Sequence, residues 1–315
     1  MNLVRLPYFM ANKKTTAKPK KRTVAKKQHT PDYYPVQRRI HLGVDGSIPG
    51  GQTTVADCGK LLSIQNRRLY RQGMLYEAKI DLNMDSTVGV DSSVDVYVLA
   101  NIWDVQRAWA LAKATYNEAY ADELKAQAGQ ASRWRDFRVS HGLTAADLEP
   151  ITYDRGTLAV SVENVGEHAL SFVDDAGVQK GFTWGQATAS LLSMLSEWDN
   201  AGTTSTSPSS SSAVAPYGGV NSDELSDIEM ANLGSAGNAP PYAQGNTNGI
   251  WVKVCTLYKQ VGPARPLQRL STGYFHAPCG LIALVSSAGL GNGNISLEIK
   301  SGDYKGVRAL SMSQE

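Results

Sequence analysis

The stretch MLYEAKIDLNMD, residues 74–85, alternates with a period of two. Met74, Tyr76, Ala78, Ile80, Leu82 and Met84 fall on one side, and Glu77, Lys79, Asp81, Asn83 and Asp85 on the other. Successive side chains of an extended chain point to opposite faces, so this pattern predicts a strand with one buried and one wetted face. Similar readings predict strands at 54–65, 92–101, 156–165, 169–175, 249–260, 275–287, 295–301 and 304–312, with clusters of Gly, Asn, Asp and Ser between them. This series carries no regular strand–helix–strand alternation, which predicts a mainly β fold, an antiparallel sandwich or barrel.

Two segments depart from the pattern. From Asp104 the period turns helical, with Val105, Ala108, Trp109, Ala112, Tyr116, Ala119, Tyr120 and Leu124 at one-face spacing. Asp104 is the expected N-cap and Gly129 the stop. The reading is a long helical insertion over about 104–131, its apolar stripe lying on the sandwich. A shorter helix is expected at 184–198. Residues 199–248 (AGTTSTSPSSSS and the Gly-, Asn- and Pro-rich run after it) lack the apolar groups for a core. Predicted strands flank them on both sides, so a long surface loop is expected rather than an interdomain linker.

Charge divides the chain more sharply than hydropathy does. Residues 1–39 contain eleven Lys or Arg and one acid, Asp32, a surplus of ten positive charges. The other twenty basic and twenty-eight acidic residues give residues 40–315 a surplus of eight negative charges. KPKKRTVAKK (18–27) holds six of the cations and nothing large and apolar, so residues 1–39 are read as a disordered basic arm and 40–315 as a folded body. A cationic arm calls for a polyanionic partner. Nucleic acid fits better than a membrane, because residues 11–30 lack the apolar face of a membrane-surface helix. The candidate phosphate contacts are Lys13, Lys14, Lys18, Lys20, Lys21, Arg22, Lys26, Lys27, Arg38 and Arg39. Lys18, Lys20, Lys21 and Arg22 also fit a short nuclear-import signal. Lysine outweighs arginine in the arm and Pro19 interrupts any helix, features that argue against a transit peptide; Met10 offers an alternative start.

A second basic cluster is NRRLYRQ (66–72), with Arg67, Arg68 and Arg71 around Tyr70. It reads either as a solvated turn after the first strand or as a further phosphate-contacting patch in which Tyr70 stacks on a base. Other motifs are read as structural. GLGNGN (289–294) looks like a phosphate loop but precedes a strand, so a hairpin turn is expected. Asp81, Asn83 and Asp85 begin like a calcium loop, yet Ser86 stands where glycine is needed. Their expected place is the solvated face of a strand, with a calcium site at subunit contacts the other option. His276 and Cys279, even with Cys58 or Cys255, lack the tight spacing of structural zinc. No nucleophile elbow, zinc-protease motif or Walker loop occurs, so neither an enzyme nor a cofactor is expected.

Arm, sandwich body, long helical insertion and long Ser/Gly-rich loop together resemble the capsid proteins of small icosahedral viruses. KPKKR brings the chain nearest those of circular single-stranded DNA (CRESS-DNA) viruses. The resemblance implies a single jelly roll and closed shells of about sixty or more copies. It also implies packaging of single-stranded nucleic acid, DNA rather than RNA, by the inward-facing arm. A host import receptor, the virion and the host nucleus are the partner and locations implied. A cellular nucleic-acid-binding protein with a basic tail, or a carbohydrate-binding sandwich, remain alternatives.

Overall fold

Strand β3 (Met74–Asp85) lies where the alternation put it, and Tyr76, Ala78, Ile80, Leu82 and Met84 are all buried. It is the longest strand of a computed structural model that describes residues 35–43, 52–85, 91–119, 121, 136–153, 160–162, 172–173, 179–202, 249–262, 267–287 and 293–312. Most of the arm, residues 203–248 of the Ser/Gly-rich segment, and Tyr120, Leu124 and Gly129 lie outside these residues.

The first sheet is built around β3. It contains β1 (Arg39–Gly43), β6 (Glu149–Tyr153), β7 (Val160–Val162), β12 (Leu267–Ser271) and β15 (Gly293–Ile299), in the order β12-β3-β15-β1-β6-β7. Two further strands, β13 (Phe275–Ala277) and β16 (Ala309–Ser311), also pair with β3. Register aligns the apolar rows: Leu297 faces Ile80 on one side and Ile40 on the other. The second sheet has β2 (Thr53–Asp57), β4 (Ser92–Leu99), β5 (Ala146–Asp147), β11 (Trp251–Lys259) and β14 (Leu281–Ser286), in the order β11-β4-β14-β2-β5. All its pairings are antiparallel except β2 with β5.

The two sheets close on one core. Ile40, Ile80, Leu82 and Leu297 of the first pack in one cluster with Ala56, Val94, Val96, Ile282 and Leu284 of the second. The protein is therefore mainly β, with antiparallel sheets sandwiching a shared core. The second sheet is apolar on its other face too. Val55, Leu99, Leu281 and Ala283 point there and are covered by the chain between β4 and β11. Helix α2 (Trp103–Ala119) supplies Val105, Ala108, Trp109, Ala112 and Tyr116 to this second core, all buried. Phe137 joins them, its ring 5.8 Å from Trp109 and 5.5 Å from Phe182. A small sheet of β8 (Phe172–Val173), β9 (Gln179–Thr183) and β10 (Leu191–Ser193) belongs to the same chain segment.

Several elements differ from the sequence reading. The strand expected at 54–65 is β2 followed by helix α1 (Cys58–Asn66). The Asp57 carboxylate accepts a hydrogen bond from the Lys60 amide at 2.9 Å, an N-cap that ends the strand. Asp104 is not the N-cap of α2: the helix starts one residue earlier, and the acid sits in its first turn, where the helix dipole favours it. The helix expected at 184–198 is Met194–Gly202 (α3), preceded by β10. Thr188 causes the delay, because its hydroxyl takes the Leu191 amide in a local turn. The strand expected at 275–287 is two strands in different sheets, joined by a turn in which Cys279 and Gly280 both have positive φ. The hairpin expected at GLGNGN is not formed by the strands on either side: β14 and β15 belong to different sheets and do not pair, while 289–292 lie outside the described residues.

One acidic anchor gives a pH dependence. Hydrogen bonds from His141 and Lys60 hold the Asp147 carboxyl down at about 2. With the folded value below the unfolded one, this contribution is complete above about pH 4 and disappears as pH falls toward 2. Asp147→Asn should flatten that part of the stability–pH curve, read by thermal unfolding in steps across the window. Steric fit gives a second expectation. A Cβ on Gly73 would stand 2.0 Å from Cζ2 of Trp109. Gly73→Ala should lower stability by about 1–3 kcal/mol in urea titrations. The smaller Trp109→Phe should make the two changes less than additive.

Candidate nucleic-acid interface

The described chain begins against α1. The Gln37 amide donates to Oδ1 of Asn66 at 2.7 Å, and Nδ2 of Asn66 donates back to the Gln37 carbonyl at 3.1 Å. This double hydrogen bond sets exposed Arg38, the residue before β1, near the end of the helix that opens NRRLYRQ. Arg67 caps α1 in the left-handed conformation, φ 51°, and its amide reaches back to the Ile64 carbonyl. Arg68 donates its amide to Ser63, and Arg67, Arg68 and Arg71 are exposed. A helix C-terminus favours cations, which suits arginines placed there.

Tyr70 does not stack on anything outside the protein. It is fully buried, its amide bonded to the Ser63 hydroxyl at 2.7 Å and its hydroxyl donating to the Lys305 carbonyl at 3.1 Å. Tyr304 meets it edge-on at 6.1 Å. A bulky ring between two exposed arginines can be read from sequence as a stacking platform, but here it is the plug that fixes the loop. Neither is NRRLYRQ a turn after a strand, since α1 precedes it.

Two lysines that sequence reading passed over join the arginines. Lys305 lies 5.8 Å from the Tyr70 ring and 5.3 Å from the Tyr304 ring, and its ammonium donates to the Leu69 carbonyl. Burial, then the charges of Arg68 and Arg71, lower its pKa. Lys113, on α2, is lowered by burial and then by Arg71, and its ammonium sits 4.5 Å from the Trp109 ring centre. Arg68, Arg71, Lys113 and Lys305 thus share one electropositive region. They are separated by more than 230 positions in sequence between the first and last, and no local motif joins them.

Beneath the arginines is a buried polar network. Arg138 pairs with Asp57 at 3.0 Å and lies 3.5 Å from Asp136. Gln72 bonds to Val139 through both ends of its amide and donates its own backbone amide to Asp136 at 3.0 Å. Burial raises the Asp136 pKa despite the nearby Arg138. The network fixes residues 136–139 to the loop that carries Arg71.

Arg39 is occupied elsewhere. It faces Asp81 at 3.4 Å and the Ser296 hydroxyl at 3.2 Å on the outer side of the first sheet. There Lys79 bridges Asp81 and Glu298, at 3.2 and 3.0 Å, so the charges alternate in sign. Asp81 is engaged by two cations, as the solvated-face reading of Asp81 and Asn83 expects. Cys58 and Cys279 are buried, and burial pushes both thiols up. Among the described residues, no three His, Cys, Asp or Glu side chains gather where a metal would sit. Lys13, Lys14, Lys18, Lys20, Lys21, Arg22, Lys26 and Lys27 lie outside the described residues. No family model, curated protein or solved structure matches this chain.

If the exposed arginines touch phosphate, replacing Arg67, Arg68 and Arg71 together by Gln should weaken oligo(dT) binding regardless of sequence. It should reduce the slope of log affinity against log salt by about 2, near 0.7 for each phosphate that an arginine neutralises on a single strand. Fluorescence anisotropy across a salt series measures it, and an unchanged slope removes the patch from the interface.

Proposed function

We propose that this chain is a viral capsid protein. Its sandwich is a jelly roll, copies assemble into an icosahedral shell, and the basic arm holds a single-stranded genome, DNA in preference to RNA. The protein acts by assembly and packaging rather than catalysis.

The observation that carries the reading is the pairing of eight strands: β1 with β15, β2 with β14, β3 with β12, and β4 with β11. Each strand from the first half of the chain pairs with one from the second, nested outward from the connection between β4 and β11. Rolling such a strip joins β15 to β3 and β14 to β4, which places these eight strands in the runs β1-β15-β3-β12 and β2-β14-β4-β11. That is the pairing logic of a jelly roll. The long insertion then lies at the tip of the strip, where added length leaves the nesting undisturbed.

Charge and surface fit the same reading. Arm lysines bind phosphate without sequence preference and release counterions, which suits packaging any genome sequence. On the order of sixty arms, each with a surplus of ten charges, would neutralise roughly 600 phosphates. Val252 and Tyr258 are exposed on β11, an edge strand of the second sheet among the described residues, and Trp103 and Leu111 on α2. Apolar side chains beside a sheet edge suit contact with further copies.

Purified full-length protein should form shells of uniform diameter in negative stain. High salt should release nucleic acid before it dissociates the shells, because it screens arm contacts more than apolar ones. Replacing Lys18, Lys20, Lys21, Arg22, Lys26 and Lys27 by Gln should lower the 260/280 nm absorbance ratio of particles and leave their diameter unchanged. A monomer at every concentration in analytical ultracentrifugation overturns the capsid reading.

A further inference from the structure

The body holds a cavity of about 220 Å³ between α2, the loop carrying Arg71, and the end of β16. Its chemistry is one-sided. Arg71 and Lys113 bring positive charge to it, and Ser311 and Tyr116 bring hydroxyl groups. The acid in the lining, Asp136, already accepts from the Gln72 amide and stands beside Arg138. Among the described residues no carboxylate lies within ion-pairing distance of Lys113 or Arg71. Arg71 and Lys113 therefore meet at the cavity without a direct ion-pair partner, Asp136 being the one acid in its lining.

We infer that this cavity binds a phosphate group, held by Arg71 and Lys113. A phosphate group offers several acceptor oxygens and the negative charge that two neighbouring cations need. Burial and the Arg71 charge both disfavour the Lys113 ammonium, and an anion between the cations relieves both. A nucleobase fits worse on Trp109: Lys113 lies over its ring and Gly73 packs against its edge. The phosphate is free in solution or belongs to a nucleotide. Only the second source rests on the packaging reading; the binding chemistry stands without it.

The test reads Lys113 in the intact full-length protein by its rate of acetylation with N-acetoxysuccinimide, resolved by peptide mass spectrometry. Inorganic phosphate, dTMP, oligo(dT) and thymidine are compared with sodium chloride at equal ionic strength. Phosphate should slow Lys113 labelling about tenfold at saturation and leave Lys60 unchanged. Arg71→Gln should raise the phosphate concentration needed by about tenfold, the scale of one charge-assisted hydrogen bond. Equal protection by inorganic phosphate and dTMP identifies the bare group as the ligand. Stronger protection by dTMP or oligo(dT) places the phosphate on a nucleotide. A Lys113 rate unaffected by phosphate, dTMP and oligo(dT), or slowed by thymidine alone, overturns the inference. Protection of arm lysines by oligo(dT) with Lys113 unaffected would overturn it and leave packaging standing.

Discussion

The second sheet is apolar on both faces, and much of the architecture answers to that. Val94, Val96, Ile282 and Leu284 face the sandwich core, while Val55, Leu99, Leu281 and Ala283 face away from it. An uncovered second face would present a continuous apolar patch to water, at a cost of roughly 25 cal/mol for each Å² exposed. The chain between β4 and β11 covers it. Trp109, Phe137, Phe182 and Trp184 complete a layer that the sheet alone leaves unfinished.

The cover is fixed in place by polar contacts as well as by packing. Arg138 and Asp57 form a buried pair, and Gln72 ties both Asp57 and Val139 to the same point. Buried ion pairs add little net stability, since desolvation offsets most of their attraction. Their geometry is demanding, however, and an apolar layer without such a lock slides more freely. Arg71 and Lys113 belong to different layers, sheet loop and cover helix, and their closeness depends on this register.

Elements with an unambiguous period were legible from sequence. β3 alternates over twelve residues, and the stripe from Val105 to Tyr116 could only be helical. The failures came where a short polar side chain redirected the backbone. Asp57 capped α1 inside a run that read as strand, although Cys58, Leu61 and Leu62 carry a helical spacing that was visible. Thr188 delayed α3 in a similar way. Pairing partners left no local trace: GLGNGN has the composition of a hairpin turn, and only sheet membership shows that the strands on either side of it do not pair. Of the candidate interface, the three arginines were legible as charge. The burial of Tyr70 and the arrival of Lys113 and Lys305 were not, because each depends on segments distant in sequence.

The double hydrogen bond between Gln37 and Asn66 has a mechanical side. Tension drawn along the chain from its N-terminal side reaches these two bonds before it reaches β1. Behind them, β1 pairs with β15 from Arg39 to Leu42 and with β6 at Leu42 and Gly43. A pull along the strand axis loads those bonds together, in shear, rather than peeling them one at a time. The point where the chain joins the body is therefore built as a clamp, with a weak outer catch that yields first and an interior strand that does not.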